Sequence, residues 1–167
     1  EIGNGEDAVL EDSDLPLSRL PVFRSSILMV EAYDADVPTL FTRIINGEIP
    51  GRFVCQDDIC VAFLDVRPLA RGHVLVVPRD EVDHWVDLSP DVASHLMVVA
   101  QRVGRAQREL LSPARIGMLI AGFEVPHVHV HVVPMDSMAA LDFSNANPNP
   151  DQGDLDRLQI DLAGLLA

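Results

Sequence analysis

The chain has 167 residues, of which 48% are hydrophobic, and it carries a net charge of −14 at pH 7. Its length and apolar content predict one compact domain with a hydrophobic core, and its acidity argues against nonspecific nucleic-acid binding. The sequence has neither a long apolar run nor a signal-peptide pattern, so we expect a cytoplasmic protein with no membrane partner, in which Cys55 and Cys60 stay reduced.

The acidic residues are concentrated at the ends of the chain. Residues 1–38 contain nine acidic residues and two arginines. Because residues 1–37 show no periodicity, we predict an acidic, partly disordered N-terminal arm there. The domain is expected to span residues 38–136. Residues 137–167 then form a C-terminal tail, in which the amphipathic stretch 155–166 predicts a helix that docks on the domain.

The first half of the domain predicts a short helix followed by strands. Thr39 is a suitable N-cap for a helix that ends at Gly47, and Pro50 prevents its continuation. Alternating or continuous apolar residues bounded by polar turns then predict strands at residues 53–56, 59–65 and 73–77. The first two of these strands are expected to form a hairpin.

The second half predicts a long helix and two further strands. Ser89-Pro90-Asp91 combines an N-cap, a proline in the first turn and an acidic residue near the positive helix end, and the helix should end near Leu111. Strands are predicted at residues 116–121 and 127–133. The pattern is that of an α+β fold, in which an antiparallel five-stranded meander packs with one long and one short helix.

Three histidines alternate with valines in the last predicted strand. Because side chains of a strand alternate between its faces, His127, His129 and His131 should share one face, with imidazoles ~6–7 Å apart. The intervening valines should face the core. Half of the six histidines of the chain therefore lie within five residues.

Three interpretations of this histidine face are open from the residues alone. The first is a polar strand face of hydrogen-bonded histidines, against which the clean alternation with valines argues. The second is a zinc site, to which His73 could add a ligand. The third is nucleophilic catalysis at phosphorus, because a neutral imidazole is a good nucleophile and flanking imidazoles can donate to phosphate oxygens.

The sequence resembles the histidine-triad, or HIT, family in several segments that occur in the family's order. The His-x-His-x-His run is followed by two apolar residues, as in the family signature. Residues 41–50 look like the opening helix and turn of that family, residues 61–68 like its nucleoside-contacting strand and residues 72–78 like its next strand. The resemblance covers residues 39–136 and implies a HIT-like fold and homodimers whose sheets join.

The resemblance also implies a hydrolase or transferase acting on nucleoside phosphoramidates or nucleoside polyphosphates, with a purine nucleotide as substrate and no cofactor. His129 would be the nucleophile that forms a covalent nucleotidyl-histidine. His127 would orient this ring through its backbone carbonyl, and His131 would donate to a phosphate oxygen. His73 would support His127 from the adjacent strand, although a hydrogen-bonded histidine without a catalytic role is an equal alternative.

The same resemblance implies a nucleoside pocket. Asp65 would bind the ribose hydroxyls, since a carboxylate accepts two such bonds well, and Val66 would close the pocket. The apolar side chains that would surround the base are Leu40, Phe41, Ile44 and Phe63. The alternatives are ordinary core packing for these four residues and a turn that bonds its own backbone for Asp65.

The chain departs from the family pattern just before the first histidine. Phe123 stands where many members have an amide, and Glu124 where many have a hydroxyl residue that helps hold phosphate. Because a carboxylate would repel a polyphosphate, we expect Glu124 to point away or to act as an acid. These departures favour an alternative to the enzyme, in which the chain is a nucleotide-binding regulatory protein with little turnover. Residues 40–42 lack the zinc-binding cysteine of some members, so no metal is predicted.

Overall fold

A five-stranded antiparallel sheet organises residues 37–167, the part of the chain that the computed structural model describes. The strands are β1 (Phe53–Gln56), β2 (Cys60–Leu64), β3 (Val74–Pro78), β4 (Arg115–Leu119) and β5 (Val130–Met135). Their order across the sheet is β1-β2-β3-β5-β4. The predicted simple meander is therefore wrong beyond β3, because β5 pairs with β3 and leaves β4 at the edge. The predicted N-terminal arm lies outside the described residues, apart from Val37.

Three α-helices accompany the sheet. They are α1 (Leu40–Ile45), α2 (Pro90–Leu111) and α3 (Gln152–Leu166), with short 3-10 turns at Trp85–Asp87, Met138–Leu141 and Phe143–Asn145. The predicted N-caps are present, since the side chains of Thr39 and Ser89 accept hydrogen bonds from the backbone of Thr42 and Val92. Among residues 37–167, no helix combines the length and the apolarity that a bilayer crossing requires.

Helices α2 and α3 cover one face of the sheet with apolar side chains. The valines that alternate with the triad histidines, Val128, Val130 and Val132, are buried on this side, as the alternation predicts. The buried residues of α3 follow helical spacing and belong to the same core; they are Leu155, Leu158, Leu162 and Leu166. Because each fully buried leucine contributes about 1.5–3 kcal/mol, α3 is an integral layer of this core.

The opposite face of the sheet is covered differently. Of the three α-helices in residues 37–167, the six-residue α1 packs there, through Phe41 and Ile44. These side chains meet Phe63 of β2 and Leu75 of β3 in a second, smaller apolar cluster. A helix of this length leaves part of the face uncovered, and this part forms the wall of a cavity.

Two of the triad histidines lie before β5 rather than within a strand. The predicted strand at residues 127–133 begins at Val130, and β4 ends at Leu119, two residues earlier than predicted. The register would pair Val128 with Pro78, but Pro78 has no N–H and its carbonyl accepts from the ring of His127. The backbone N–H of Val128 donates instead to the carbonyl of Val82 at 2.7 Å.

Candidate active site

The cavity on the uncovered sheet face has a volume of about 500 Å³ and brings together much of the predicted site. His129 and His131 line it, whereas His73 and His127 lie behind its wall. All six predicted substrate residues line it as well: Leu40, Phe41, Ile44, Phe63, Asp65 and Val66. The ring centroids of His129 and His131 are 4.8 Å apart, closer than the spacing expected for an ideal strand.

The backbone fixes the tautomer of His129. Its Nδ1 lies 2.7 Å from the carbonyl oxygen of His127. A carbonyl only accepts, so Nδ1 carries the hydrogen and Nε2 keeps the lone pair. Within residues 37–167 no hydrogen bond occupies this Nε2. The ring is packed edge-on against Phe41, with centroids 5.0 Å apart. The neutral form of His129 thus presents a lone pair on Nε2 that can act as a nucleophile.

A chain of hydrogen bonds assigns the hydrogens of His73 and His131. The backbone N–H of Leu69 donates to His73 Nδ1 at 3.2 Å. The hydrogen of His73 is therefore on Nε2, which donates to His131 Nδ1 at 3.0 Å. The hydrogen of His131 is then on its Nε2, a buried atom with no partner among the described residues. This geometry leaves one N–H donor in the cavity wall beside the ring of His129.

Burial keeps these two supporting rings neutral. Desolvation, reinforced by nearby His129, lowers the pKa of His73 to about 4. Desolvation, together with nearby His73 and His129, lowers the pKa of His131 to about 3. Asp65 Oδ2 lies 3.4 Å from His73 Nδ1, but the shorter contact from Leu69 and the neutrality of the ring assign this nitrogen as an acceptor.

The structure corrects the predicted partner of His73. We expected His73 to support His127, but its ring stacks on His131, with centroids 5.2 Å apart, and bonds to it. The register explains the difference, because Val74 lies opposite Val132 and Leu75 opposite His131, so that His73 lies next to the last histidine of the triad.

The ring of His127 is held on both nitrogens. Its Nε2 donates to the carbonyl of Pro78 at 2.9 Å, and its Nδ1 accepts from the hydroxyl of Thr39 at 2.9 Å. Burial lowers the pKa of this ring, which is fully enclosed. The carboxylate of Glu81 accepts from the backbone of Thr39 and from the hydroxyl of Thr42. This network joins the start of α1 to the residue whose carbonyl orients His129.

Two interpretations were open for the apolar cavity residues, a nucleoside pocket and ordinary core packing. Both describe part of the arrangement, because Phe41, Ile44 and Phe63 line the cavity and also belong to the core. Phe41 and Phe63 are buried with ring centroids 5.8 Å apart. Leu40 and Val66 are largely exposed at the rim. Asp65 Oδ1 accepts from the backbone of Arg67 at 2.8 Å, the local turn bond considered as its alternative.

The sequence did not identify Phe143 as a site residue. It lies in the predicted C-terminal tail, before the stretch expected to form a helix, yet it lines the cavity and its ring meets His131 edge-on, with centroids 5.2 Å apart. An aromatic residue within a polar, proline-rich stretch was the available signal. Phe123 and Glu124 also line the cavity, which contradicts the first alternative for Glu124, that it points away from the site; the second, that it acts as an acid, stays a prediction.

One group of possible metal ligands lies at this site, as the zinc interpretation requires. Ligand atoms of Asp65, His73 and His131 lie within 4.8 Å of one another. The two rings, however, already share a hydrogen bond, and Leu69 occupies the other nitrogen of His73. These bonds favour a network of neutral histidines over a set of metal ligands at this position.

An antiparallel α+β domain with three clustered histidines beside a cavity is the arrangement of a histidine-triad domain. The family model described as HIT domain matches residues 46–138, more than half of the chain, and the chain belongs to the HIT family.

Several known proteins are similar to this chain. An uncharacterized HIT-like protein of Borreliella burgdorferi is 31% identical over 115 residues, which are 65% of this chain and 83% of the relative. An adenosine 5'-monophosphoramidase of Saccharomyces cerevisiae is 29% identical over 71% of this chain and 75% of its own. The crystal structure of a zinc-bound histidine triad family protein from Mycobacterium smegmatis is 32% identical, with a TM-score of 0.63, over 75% of this chain and 93% of that protein.

Proposed function

We propose that this protein hydrolyses nucleoside phosphoramidates through a covalent intermediate on His129. The observation that carries the proposal is the bond from His129 Nδ1 to the carbonyl of His127, which fixes Nε2 as the nucleophilic nitrogen of a ring that lines the cavity. The similarity to the yeast phosphoramidase supports the substrate class. Nucleoside polyphosphates, which also carry an α-phosphorus, are the alternative substrates.

In the proposed reaction, the lone pair of His129 Nε2 forms a bond to the α-phosphorus. The bond from phosphorus to the leaving nitrogen breaks, and the amine leaves with a proton taken from water. The Nε2–H of His131, which has no partner among residues 37–167, donates to a phosphate oxygen as charge accumulates there. Water then replaces Nε2 on phosphorus, releases its proton to solvent and frees the nucleoside monophosphate.

The walls of the cavity suggest how the nucleoside is placed. The base, for which we propose a purine, would lie against the apolar wall that includes Phe41 and Phe63. Oδ1 of Asp65 already accepts a hydrogen bond from the backbone of Arg67 in the turn. Oδ2 is therefore the oxygen that would accept from a ribose hydroxyl. Arg67 also lines the cavity and brings a positive charge to the same rim.

The test uses an adenosine phosphoramidate and compares His129→Ala with His84→Ala, which changes an exposed histidine outside the cavity. We expect the release of adenosine monophosphate to fall by roughly 10³-fold or more in the first variant and to stay unchanged in the second. Mass spectrometry of the quenched protein should find the added nucleotide on the peptide that contains His129. Turnover that survives in His129→Ala would exclude this residue as the nucleophile.

The second candidate function is a nucleotide-binding regulatory protein with little turnover. It is favoured by the cavity rim, where Phe123 is 94% exposed and Glu124 adds a negative charge close to the site of an anionic substrate. Tight binding of adenosine monophosphate without turnover of the phosphoramidate, unchanged in His129→Ala, would support this function instead.

We also propose that two copies of the chain pair through β4 and function in the cytoplasm. In the described part of the chain β4 pairs only with β5, so its other edge is open to a second copy. Met97, Val98 and Met118 form an exposed apolar surface beside this edge. Light scattering of the purified protein checks the dimer, which a monomeric mass at working concentration would contradict.

A further inference from the structure

A second group of chemically competent side chains lies on the helix-covered side of the sheet. Asp57 is in the turn between β1 and β2, Cys60 begins β2, and His95 projects from α2. A carboxylate oxygen, the thiol sulfur and a ring nitrogen of these residues all lie within 4.8 Å of one another. None of the three lines the cavity that contains His129, so the proposed reaction does not use them.

The turn holds the carboxylate of Asp57 in a defined orientation. Its Oδ1 accepts from the backbone N–H groups of Ile59 and Cys60, both at 2.8 Å. The guanidinium of Arg79 donates to the carbonyl of Asp57 at 2.6 Å and fixes the turn from its other side. Because Oδ1 is engaged in this way, Oδ2 is the oxygen that faces the other members of the group.

The three candidate ligand atoms converge on that oxygen. His95 Nε2 lies 2.8 Å from Asp57 Oδ2, and Cys60 Sγ lies 4.0 Å from it. A tetrahedral zinc ion with its usual bond lengths places nitrogen, oxygen and sulfur ligands about 3.4–3.6 Å apart. The two distances lie on either side of that range, so side-chain shifts of less than about an ångström bring each of them into it, and the distance from His95 Nε2 to Cys60 Sγ is at most 4.8 Å.

We propose that Asp57, Cys60 and His95 bind a zinc ion, with water in the fourth position. Thiolate and imidazole ligands favour zinc over the harder cations calcium and magnesium. The sulfur is at the buried end of the group, whereas the side chains of His95 and Asp57 are 31% and 38% exposed. The ion can therefore enter from solvent between the two exposed ligands and reach the thiol below them.

Binding rearranges two protons and forms a cross-link. The zinc–sulfur bond forms as Cys60 releases its thiol proton to solvent, and His95 presents the Nε2 lone pair with its hydrogen on Nδ1. The ion then joins the turn between β1 and β2 to helix α2. Because only the folded chain holds the three ligands together, zinc should raise the unfolding temperature as its concentration rises.

The experiment measures metal binding by the full chain after treatment with a chelator, with zinc and then cobalt as the probe. We expect about one equivalent of zinc, and a thiolate-to-cobalt absorption band that reports sulfur coordination. Cys60→Ser and His95→Gln should each weaken binding by more than roughly 10-fold. The matched controls are Cys55→Ser, a half-buried thiol on β1, and His84→Gln, an exposed imidazole, which should leave binding unchanged.

Several results would overturn the proposal. They are the absence of zinc binding by the unaltered chain, a cobalt complex without the thiolate band, and binding that persists in both Cys60→Ser and His95→Gln. Binding that depends on His131 would place the ion at the cavity instead. If Cys60→Ser does not fold, the partly exposed His95→Gln still decides the question. Because the readout is metal binding, failure here leaves the proposed hydrolysis untouched.

Discussion

The two histidines that face the cavity differ from the two behind them in the state of their second ring nitrogen. In His127 and His73, both ring nitrogens are hydrogen-bonded within the protein. In His129 and His131, one nitrogen is bonded and Nε2 has no partner among the described residues. Histidine therefore has two roles here, as a ring held on both sides by the protein and as a ring with one nitrogen open to the cavity. In the second role, the hydrogen bond to Nδ1 decides whether Nε2 has a lone pair or a hydrogen.

The comparison also shows that neutral rings, and not charged side chains, position the N–H group of His131 at this site. No cationic side chain contacts His131 among the contacts described, and the hydrogen that it offers to the cavity is fixed by a chain that starts at the backbone of Leu69. The low pKa values of His73 and His131 keep this chain in one protonation state at neutral pH. Its orientation is therefore set by the fold rather than by solution pH.

The largest effect beyond the nucleophile is expected from His131→Asn, which removes the only cavity-facing N–H that the histidine chain supplies. We expect kcat for adenosine phosphoramidate to fall by roughly 10²–10³-fold, with a smaller change in KM, because the lost donor acts most strongly on the transition state. Steady-state kinetics at saturating substrate measure the effect, with His84→Asn as the control. An unchanged kcat would show that His131 does not contact the reacting phosphate.

The buried rings should also make stability depend on pH. His73 and His131 stay neutral in the folded protein down to pH values of about 4 and 3, whereas in the unfolded chain they take up protons near their ordinary pKa of 6.5. Between these limits the unfolded state binds more protons, so the free energy of unfolding falls as pH falls. The loss is roughly 1.4 kcal/mol per pH unit for each histidine below its unfolded pKa.

Denaturant unfolding at pH 7, 6 and 5 measures this dependence. His131→Asn should make the free energy of unfolding less dependent on pH, since one of the buried rings is gone, and His84→Asn should leave the dependence as it is. A free energy of unfolding that stays constant over this interval would contradict the neutral assignment of the buried pair.

A smaller effect is expected from Thr39→Val, which acts on His127 and reaches the nucleophile only through it. The change removes the hydroxyl that donates to His127 Nδ1 and leaves this buried nitrogen with only a 3.4 Å contact to the hydroxyl of Thr42, which already donates to Glu81. We expect a stability loss of about 1–2 kcal/mol, partly from the lost helix cap, and a decrease in kcat of about 10-fold as the carbonyl that orients His129 moves.

Thr39→Ser is the matched control, because it restores the hydroxyl and should restore kcat. The division between kcat and KM identifies the role: displacement of the carbonyl lowers kcat, whereas movement of α1 as a cavity wall raises KM. A pure KM effect would mean that Thr39 shapes the cavity and does not position His129.

The local parts of the fold could be predicted from the sequence, and the parts that depend on pairing could not. Ser89 defines the start of α2 because its side chain accepts a hydrogen bond from the backbone of Val92, and Pro90 suits the first turn because it has no N–H to leave unpaired. The position of β4 and the start of β5 depend on which strand lies alongside, and this is decided by the crossover that α2 provides. Alternation predicted which side the valines face, but it could not predict that Pro78, which the register places opposite Val128, has no N–H to donate and that its carbonyl accepts from the ring of His127.

The same distinction applies to the candidate site. The six predicted substrate residues and His129 line the cavity because family-like segments place them there. The bond from Thr39 to His127 joins residues 88 positions apart, and Phe143 reaches His131 from beyond the segment that the family model matches. Such contacts follow from the way in which distant elements pack together, and this packing cannot be predicted from local sequence patterns.

The carbonyl partner of His129 has a consequence for the lifetime of the proposed intermediate. Once phosphorus is bound to Nε2, the ring is a cation whose remaining hydrogen points at an oxygen far too weakly basic to remove it. A carboxylate at that place could share the hydrogen and neutralise the ring, which would make the nitrogen–phosphorus bond harder to break. With an amide oxygen there instead, the ring remains a good leaving group, and the nucleotide is poised for rapid discharge to water.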